Sequence, residues 1–348
     1  MSSETVKTRL LIISDTHTTP PKSDNEAIPG PPQGSNIVQP VSVKYAYREP
    51  LPSADVLLHA GDITMSGQMQ EYRKMLNVLK NAKAELKLVI AGNHDITLDP
   101  EYYERYGKLR NPRSGPVDLG LVREMWTGED ARSHGIVYLE HGVRTFTLKS
   151  RARFTIYASP YQPEFCQWAF AYERNEDIYN PSPPVSKKPA THPVPSHPQI
   201  DLMMTHGPPY KRLDRTSGGQ DVGCEHLLRA VERCRPRLHC FGHIHEGWGA
   251  ELVKWAPKDD TQKPSSIGKG LRKKIETIEK LDVDMEKAWE DRAVMVDFSH
   301  ESGKGLTFGD ETLFVNASIM DVRYSPVHAP WLVDLDLPKA KETGLLDV

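Results

Sequence analysis

The chain has 348 residues, 38% of them apolar and 26% charged, which is enough to bury the core of one large domain and argues against a disordered protein. A net charge of −3 gives no overall basic field, so binding to extended nucleic acid is not expected, and a small anionic substrate needs local positive charge. The start, MSSETVKTRLLIIS, lacks a basic leader ahead of an apolar stretch, and no run approaches a membrane span; a soluble cytoplasmic protein with no membrane partner is expected.

Taken in order, the chain repeats one local pattern, a short apolar run that stops in a polar turn. TRLLIIS at 8–14 runs into DTH, ADVLLHA at 54–60 into GD, and LKLVIA at 86–91 into GNHD. IDLMMT at 200–205 then runs into HGPP, and RLHCF at 237–241 into GHIH. Each run is strand-length and nearly continuous in Leu, Ile and Val, the signature of strands covered on both faces. Between the second and third, GQMQEYRKMLNVLKNAKA spaces Met69, Tyr72, Leu76 and Leu79 as one helical face, and GCEHLLRAVERCRP predicts another helix, stopped by Pro236. Strand, helix, strand at this tempo predicts an α/β fold of crossover units, with its site beyond the carboxyl ends of the strands. ETLFVNAS at 311–318 and APWLVDLDL at 329–337 read as closing strands.

Three stretches read as insertions into a single domain spanning 1–348: 18–53, 173–199 and 256–310. The first two are proline-rich and read as loops or lids. The third carries mixed charge around a candidate helix, KKIETIEKLDVDMEKAWEDR, and reads as a solvated surface excursion. The cysteines Cys166, Cys224, Cys234 and Cys240 make no CxxC pair and are expected as reduced, mostly buried thiols.

The five turns deliver Asp15 and His17; Asp62; Asn93 and His94; His206; and His243 with His245. Oxygen and imidazole donors without thiolates suit divalent first-row metals. A carboxylate with two oxygens is the natural bridge between two such ions, and Asp62, beside Gly61, is the candidate. On these blocks, DTH, GD, GNHD, TH and GHIH in this order, the chain resembles the calcineurin-like metallophosphoesterase superfamily. HGPP, VGCEHLL, RPRLHCFGHIHEGWG and FVNAS are similar to its metallophosphoesterase-domain-containing (239AB/239FB-like) branch.

That resemblance implies an αββα four-layer sandwich and two divalent cations, with manganese favoured over iron, zinc or magnesium. It implies one ion held by Asp15, His17, Asp62 and His245, a second by Asp62, Asn93, His206 and His243, and a metal-bridging hydroxide as nucleophile. His94 is left unligated, in position to contact substrate and to act as general acid; Asp95 either orients it or is an exposed turn carboxylate. The serine/threonine phosphatases of the superfamily carry an arginine shortly after GD and end the third block in GNHE. Here the residues are GDITMSG and GNHD, which tilts the expectation from phosphomonoesters to small phosphodiesters, with cyclic nucleotides suggested by the branch. A phosphomonoesterase or protein phosphatase is the alternative, and a catalytically weak binding protein on the same fold a third reading; the sequence names no protein partner. Tyr161, Phe165, Trp168 and Phe170 offer an aromatic wall for a flat leaving group, Tyr161 foremost, against ordinary core packing. Lys211, Arg212 and Arg215, which follow HGPP, offer positive charge to a phosphate, against the reading of solvated loop charges.

Overall fold

The structure is a computed structural model and describes residues 4–23, 45–113, 115–181, 190–257 and 275–341. In chain order the strands are β1 (Thr5–Ile13), β2 (Val56–His59), β3 (Leu86–Val89), β4 (Ile136–Tyr138), β5 (Gly142–Thr147), β6 (Arg153–Ser159), β7 (Gln162–Pro163) and β8 (Ala171–Tyr172). They continue with β9 (Leu202–Thr205), β10 (Leu238–Phe241), β11 (Gly249–Trp255), β12 (Ile275–Lys280), β13 (Val294–Phe298), β14 (Glu311–Asn316) and β15 (Trp331–Pro338). The helices are α1 (Met69–Asn81), α2 (Pro100–Arg110), α3 (Leu119–Thr127), α4 (Glu129–Ser133), α5 (Glu225–Cys234) and α6 (Met285–Asp291).

Two large sheets result, one in the order β13-β15-β1-β2-β3-β4 and the other β12-β11-β14-β10-β9-β6-β5. The strand alternation then dictates the layers. Leu10, Ile12, Val56 and Leu58 of the first sheet face Leu202, Met204, Leu238 and Cys240 of the second in one shared core. Their neighbours Leu11, Ile13 and Leu57 point outward and bury Tyr72, Met75 and Leu79 of α1 with Trp126 of α3. On the far side Met203, Phe241 and Phe314 cover Leu227, Ala230 and Val231 of α5. Helix, sheet, sheet, helix is the expected αββα sandwich, and both predicted helices form; of the predicted face of α1, Tyr72, Leu76 and Leu79 are buried and Met69 is half-buried.

The stretch 256–310 departs from its reading. Where KKIETIEKLDVDMEKAWEDR suggested one helix, Ile275–Lys280 is a strand on the edge of the second sheet, paired antiparallel with β11, and only Met285–Asp291 is helical. β13 likewise extends the first sheet, parallel to β15. The charges that hid β12 are what protects an edge from pairing with another chain. Of the proline-rich stretches, 24–44 and 182–189 lie outside the described residues, as do 258–274 of the third. The described ends are not loose covers: Ala46 and Tyr47 are buried in the two faces of the first sheet's packing, and Tyr179 and Val194 in the α5 layer. Three of the four cysteines are buried and Cys166 is exposed, all as free thiols.

Candidate metal centre

β1, β2 and β3 run parallel with Ile13 opposite His59 and His59 opposite Val89, so their three turns leave the sheet at one height. In the second sheet Met204 stands opposite Cys240, which brings the turns after β9 and β10 level as well. The two rows of turns are then stitched together. The His243 amide donates to both carboxylate oxygens of Asp15 at 3.0 Å and the Ser318 hydroxyl to Asp15 Oδ2 at 2.8 Å, while within the second row the Gly242 amide donates to the His206 carbonyl at 3.0 Å. Gly242 is required for this approach, since a Cβ there would collide with the Asp15 carboxylate and the Ser14 hydroxyl. Asp15, His17, Asp62 and His243 all sit at positive φ, between 42° and 68°, a conformation costly for side chains with a Cβ and sustained only where the surroundings fix it.

The structure brings together every residue of the five motifs. Ligand atoms of Asp15, His17 and His245 lie within 4.8 Å of one another; so do those of Asp62, His206 and His243, and those of His17, Asp62 and His94. Asn93 joins the second group through its Oδ1, 2.9 Å from His206 Nε2. Asp62 stands between the groups, with Oδ2 3.6 Å from His17 Nε2 and Oδ1 3.5 Å from His206 Nε2, one oxygen toward each. Three of the imidazoles are oriented identically: Nδ1 of His17, His206 and His245 faces the carbonyl of Thr64, Ala60 and Asp321 respectively, at 3.2, 3.0 and 2.9 Å. With the Nδ1 proton held by a carbonyl, the Nε2 lone pair is turned inward, the arrangement that prepares histidine to bind a metal. His17 Nε2 and His245 Nε2 face each other at 3.4 Å.

Electrostatics describe the same site. Burial would raise both carboxyls, yet the His245 hydrogen bond to Asp15, and His206 and His94 near Asp62, hold them well below the usual carboxylate range. Against its own burial, His206 is drawn up to about 9 by Asp62, and His245 to about 8 by Asp15, while burial pushes His17 and His243 down to about 3. Each half of the site thus recruits one positive charge to a buried carboxylate. The donor set therefore fits two divalent cations, which would supply that charge and leave the imidazoles neutral.

His94 sits over this centre. Its Nδ1 donates to the Met65 carbonyl at 2.8 Å, and its ring stacks on Trp168 at 4.1 Å between centroids. The Arg110 guanidinium lies 4.0 Å from the same indole and donates to the Cys166 and Gln167 carbonyls, while Tyr102 of the same helix donates to the Gln167 carbonyl. Cys166, Gln167 and Phe170 are at positive φ, so the loop is held in a costly shape that presses Trp168 onto His94. Asp95 corrects both of its sequence readings: it neither touches the His94 imidazole nor is exposed. Its carboxylate is fully buried and accepts from the amides of Gly92, Ile63 and Thr64 and from the Thr64 hydroxyl, pinning the GDIT turn to the GNHD turn. Burial, with Asp62 adding to it, pushes that carboxyl up to about 7.

Tyr161 packs on His141 and Phe170 and lines, with Trp168, a cavity of about 940 Å³. Arg212 is not solvated; it is buried in an ion pair with Glu251 at 2.9 Å. Asn316 braces the GHIH turn through the Ile244 carbonyl at 2.8 Å. Asp321 and Tyr324, and the role of Ser318 at the end of FVNAS, escaped sequence reasoning, because nothing in SIMDVRYS marks a loop that returns to strand ends as distant in the chain as Asp15 and His245.

A buried imidazole and carboxylate centre across two sheet ends, on an αββα sandwich, defines a metal-binding α/β protein. The chain belongs to the calcineurin-like phosphoesterase family, whose sequence model matches residues 8–247. It is 30% identical to metallophosphoesterase domain-containing protein 1 of Homo sapiens over 326 residues, 89% of this chain and 74% of that protein. It is also 33% identical to a UPF0046 protein of Caenorhabditis elegans over 211 residues, 57% of this chain and 48% of that protein. A probable rhamnogalacturonate lyase C of Emericella nidulans is 32% identical over 224 residues, 63% of this chain and only 18% of the lyase's length. Among the described residues no helix is long and apolar enough to cross a membrane.

Proposed function

We propose that the chain is a binuclear metal-dependent phosphoesterase that hydrolyses small phosphodiesters, cyclic nucleotides among them. Asp15, His17, Asp62 and His245 would hold one cation and Asp62, Asn93, His206 and His243 the other, with manganese the first candidate and iron, zinc and magnesium the alternatives. The observation that carries the reading is Asp62, which presents one oxygen to each of two histidine groups whose Nε2 atoms are turned inward. Two bound cations would lower the pKa of a water molecule and polarise phosphoryl oxygens.

The chain's own residues do the rest. His94 is fixed by the Met65 carbonyl at Nδ1, so the proton it exchanges is on Nε2, and it protonates the departing oxygen. Trp168 keeps that ring from swinging away. The absence of an arginine after GD removes one grip on the extra charge of a monoester and favours a diester. Metal analysis of the purified protein, followed by rates on an aryl phosphodiester and the matching monoester with each metal restored, tests the proposal. Two cations per chain and faster diester turnover are expected; faster monoester turnover would overturn the diester preference.

A further inference from the structure

Of the four aromatic residues that the sequence offers for a substrate's leaving group, Tyr161, Trp168 and Phe170 are already occupied or set back, and Phe165, 63% exposed, shows no ring contact with the site's histidines among the described residues. Trp168 carries both the His94 ring and the Arg110 guanidinium within 4.1 Å of its own ring. Phe170 is 6% exposed and Tyr161 packs against it. A different ring is open at the centre itself. Tyr324 lies with its centroid 4.8 Å from His17, 5.4 Å from His245 and 6.2 Å from His94, yet the residue is 43% exposed. Among the described residues it is the exposed aromatic that contacts three histidines of the site.

Its placement is built. Tyr324 adopts φ +60°, a conformation that a bulky side chain does not take without support. Support comes from Asp321, whose carboxylate accepts from the amides of Arg323 and Ser325 at 2.8 Å each and whose carbonyl accepts from the Tyr324 amide and faces His245 Nδ1. The same residue thus holds a ligand-type histidine and the turn that presents the ring. This segment lies beyond residue 247, where the family match ends.

We infer that Tyr324 is a specificity-determining residue whose exposed ring stacks the flat, aryl or heteroaryl part of the substrate while its phosphate faces the buried centre. The inference rests on the phosphoesterase reading and names the substrate class of that site: esters carrying a planar group next to the phosphate. An exposed ring at the rim of a polar centre gives a planar ligand a π-face that an alkyl ester cannot use.

The test is calorimetric titration of the metal-loaded protein with the monomethyl esters of phenylphosphonate and of methylphosphonate, which carry the single negative charge of a diester, share the phosphoryl group and differ in the flat ring. Tyr324→Ala is expected to weaken binding of the phenylphosphonate ester about tenfold and to leave that of the methylphosphonate ester unchanged, while Tyr324→Phe behaves as wild type. If Tyr324→Ala does not fold, Tyr324→Leu, which fills similar space without a π-face, takes its place with the same expectation. Equal loss of both ligands, or loss of neither, would overturn the inference. Wild-type protein that holds two cations and binds neither phosphonate would instead overturn the phosphoesterase reading, and this inference with it.

Discussion

Two sets of buried histidines lie within a few residues of each other and behave differently. His17, His206 and His245 follow strand ends and turn Nε2 inward toward carboxylates, with Nδ1 held by a backbone carbonyl. His59 and His239 lie inside β2 and β10, fully buried, and each contacts a threonine hydroxyl through Nε2 at 2.9 Å, Thr16 and Thr205. Both threonines adjoin site residues, Thr16 between Asp15 and His17 and Thr205 before His206. Burial alone therefore does not turn a ring nitrogen toward the site's carboxylates. Position relative to the strand end decides which nitrogen is free, and the inner pair props the turn that carries the outer set.

Breaking the outer set has the largest expected effect. Asp62→Ala removes the oxygens that face both histidine groups, so metal analysis should show loss of both cations and activity should fall to background; two retained cations would count against a bridging role. His94→Ala should keep the metals and slow turnover about 10²–10⁴-fold, most for poor leaving groups, and uniform slowing across leaving groups would argue against proton donation. Trp168→Ala frees the His94 ring without touching a ligand; a roughly tenfold fall in kcat with little change in KM is expected from misorientation, and an unchanged kcat would show that the stack does not matter.

The inner set sharpens the contrast from the other side. His239→Gln should leave metal content intact and cost about 1–3 kcal/mol of stability through the disturbed Thr205 contact, read by denaturant unfolding. Its pH dependence carries a sign. Burial pushes His239 down to about 3, whereas an unfolded histidine titrates near 6.5. Between those values the unfolded chain binds a proton that the native chain refuses, so this residue makes stability fall as the pH drops through that window, by up to about 1.4 kcal/mol per unit. The variant should show a shallower fall; an unchanged slope would show that His239 does not contribute to it.

The strand ends were legible because each couples an apolar run to a glycine-containing or acidic turn, two local signals that coincide at Asp15, Asp62, Asn93, His206 and His243. α1 and α5 were legible from one apolar face each. β12 was not, because Ile275 and Ile278 stand three apart among exposed charges, a helical spacing that the edge of the second sheet overrode. Asp95 was misread for a related reason. Its four partners come from two turns that meet only in the fold, and no spacing in GNHD announces them. Tyr324 shows the same limit at greater range, since its ring neighbours His17, His94 and His245 come from three separate turns.

Gly242 has a consequence for the molecule as a whole. Over the shared core the two sheets are held apart by side chains such as Leu10, Ile12, Met204 and Cys240, and their separation can adjust as those chains repack. At the seam beside Asp15 there is no side chain to adjust. The gauge of the candidate metal centre is set there by a hydrogen where any other residue has carbon, so Gly242→Ala would act as a wedge between the layers, pushing the Asp15 carboxylate off the His243 amide and so striking a proposed ligand directly.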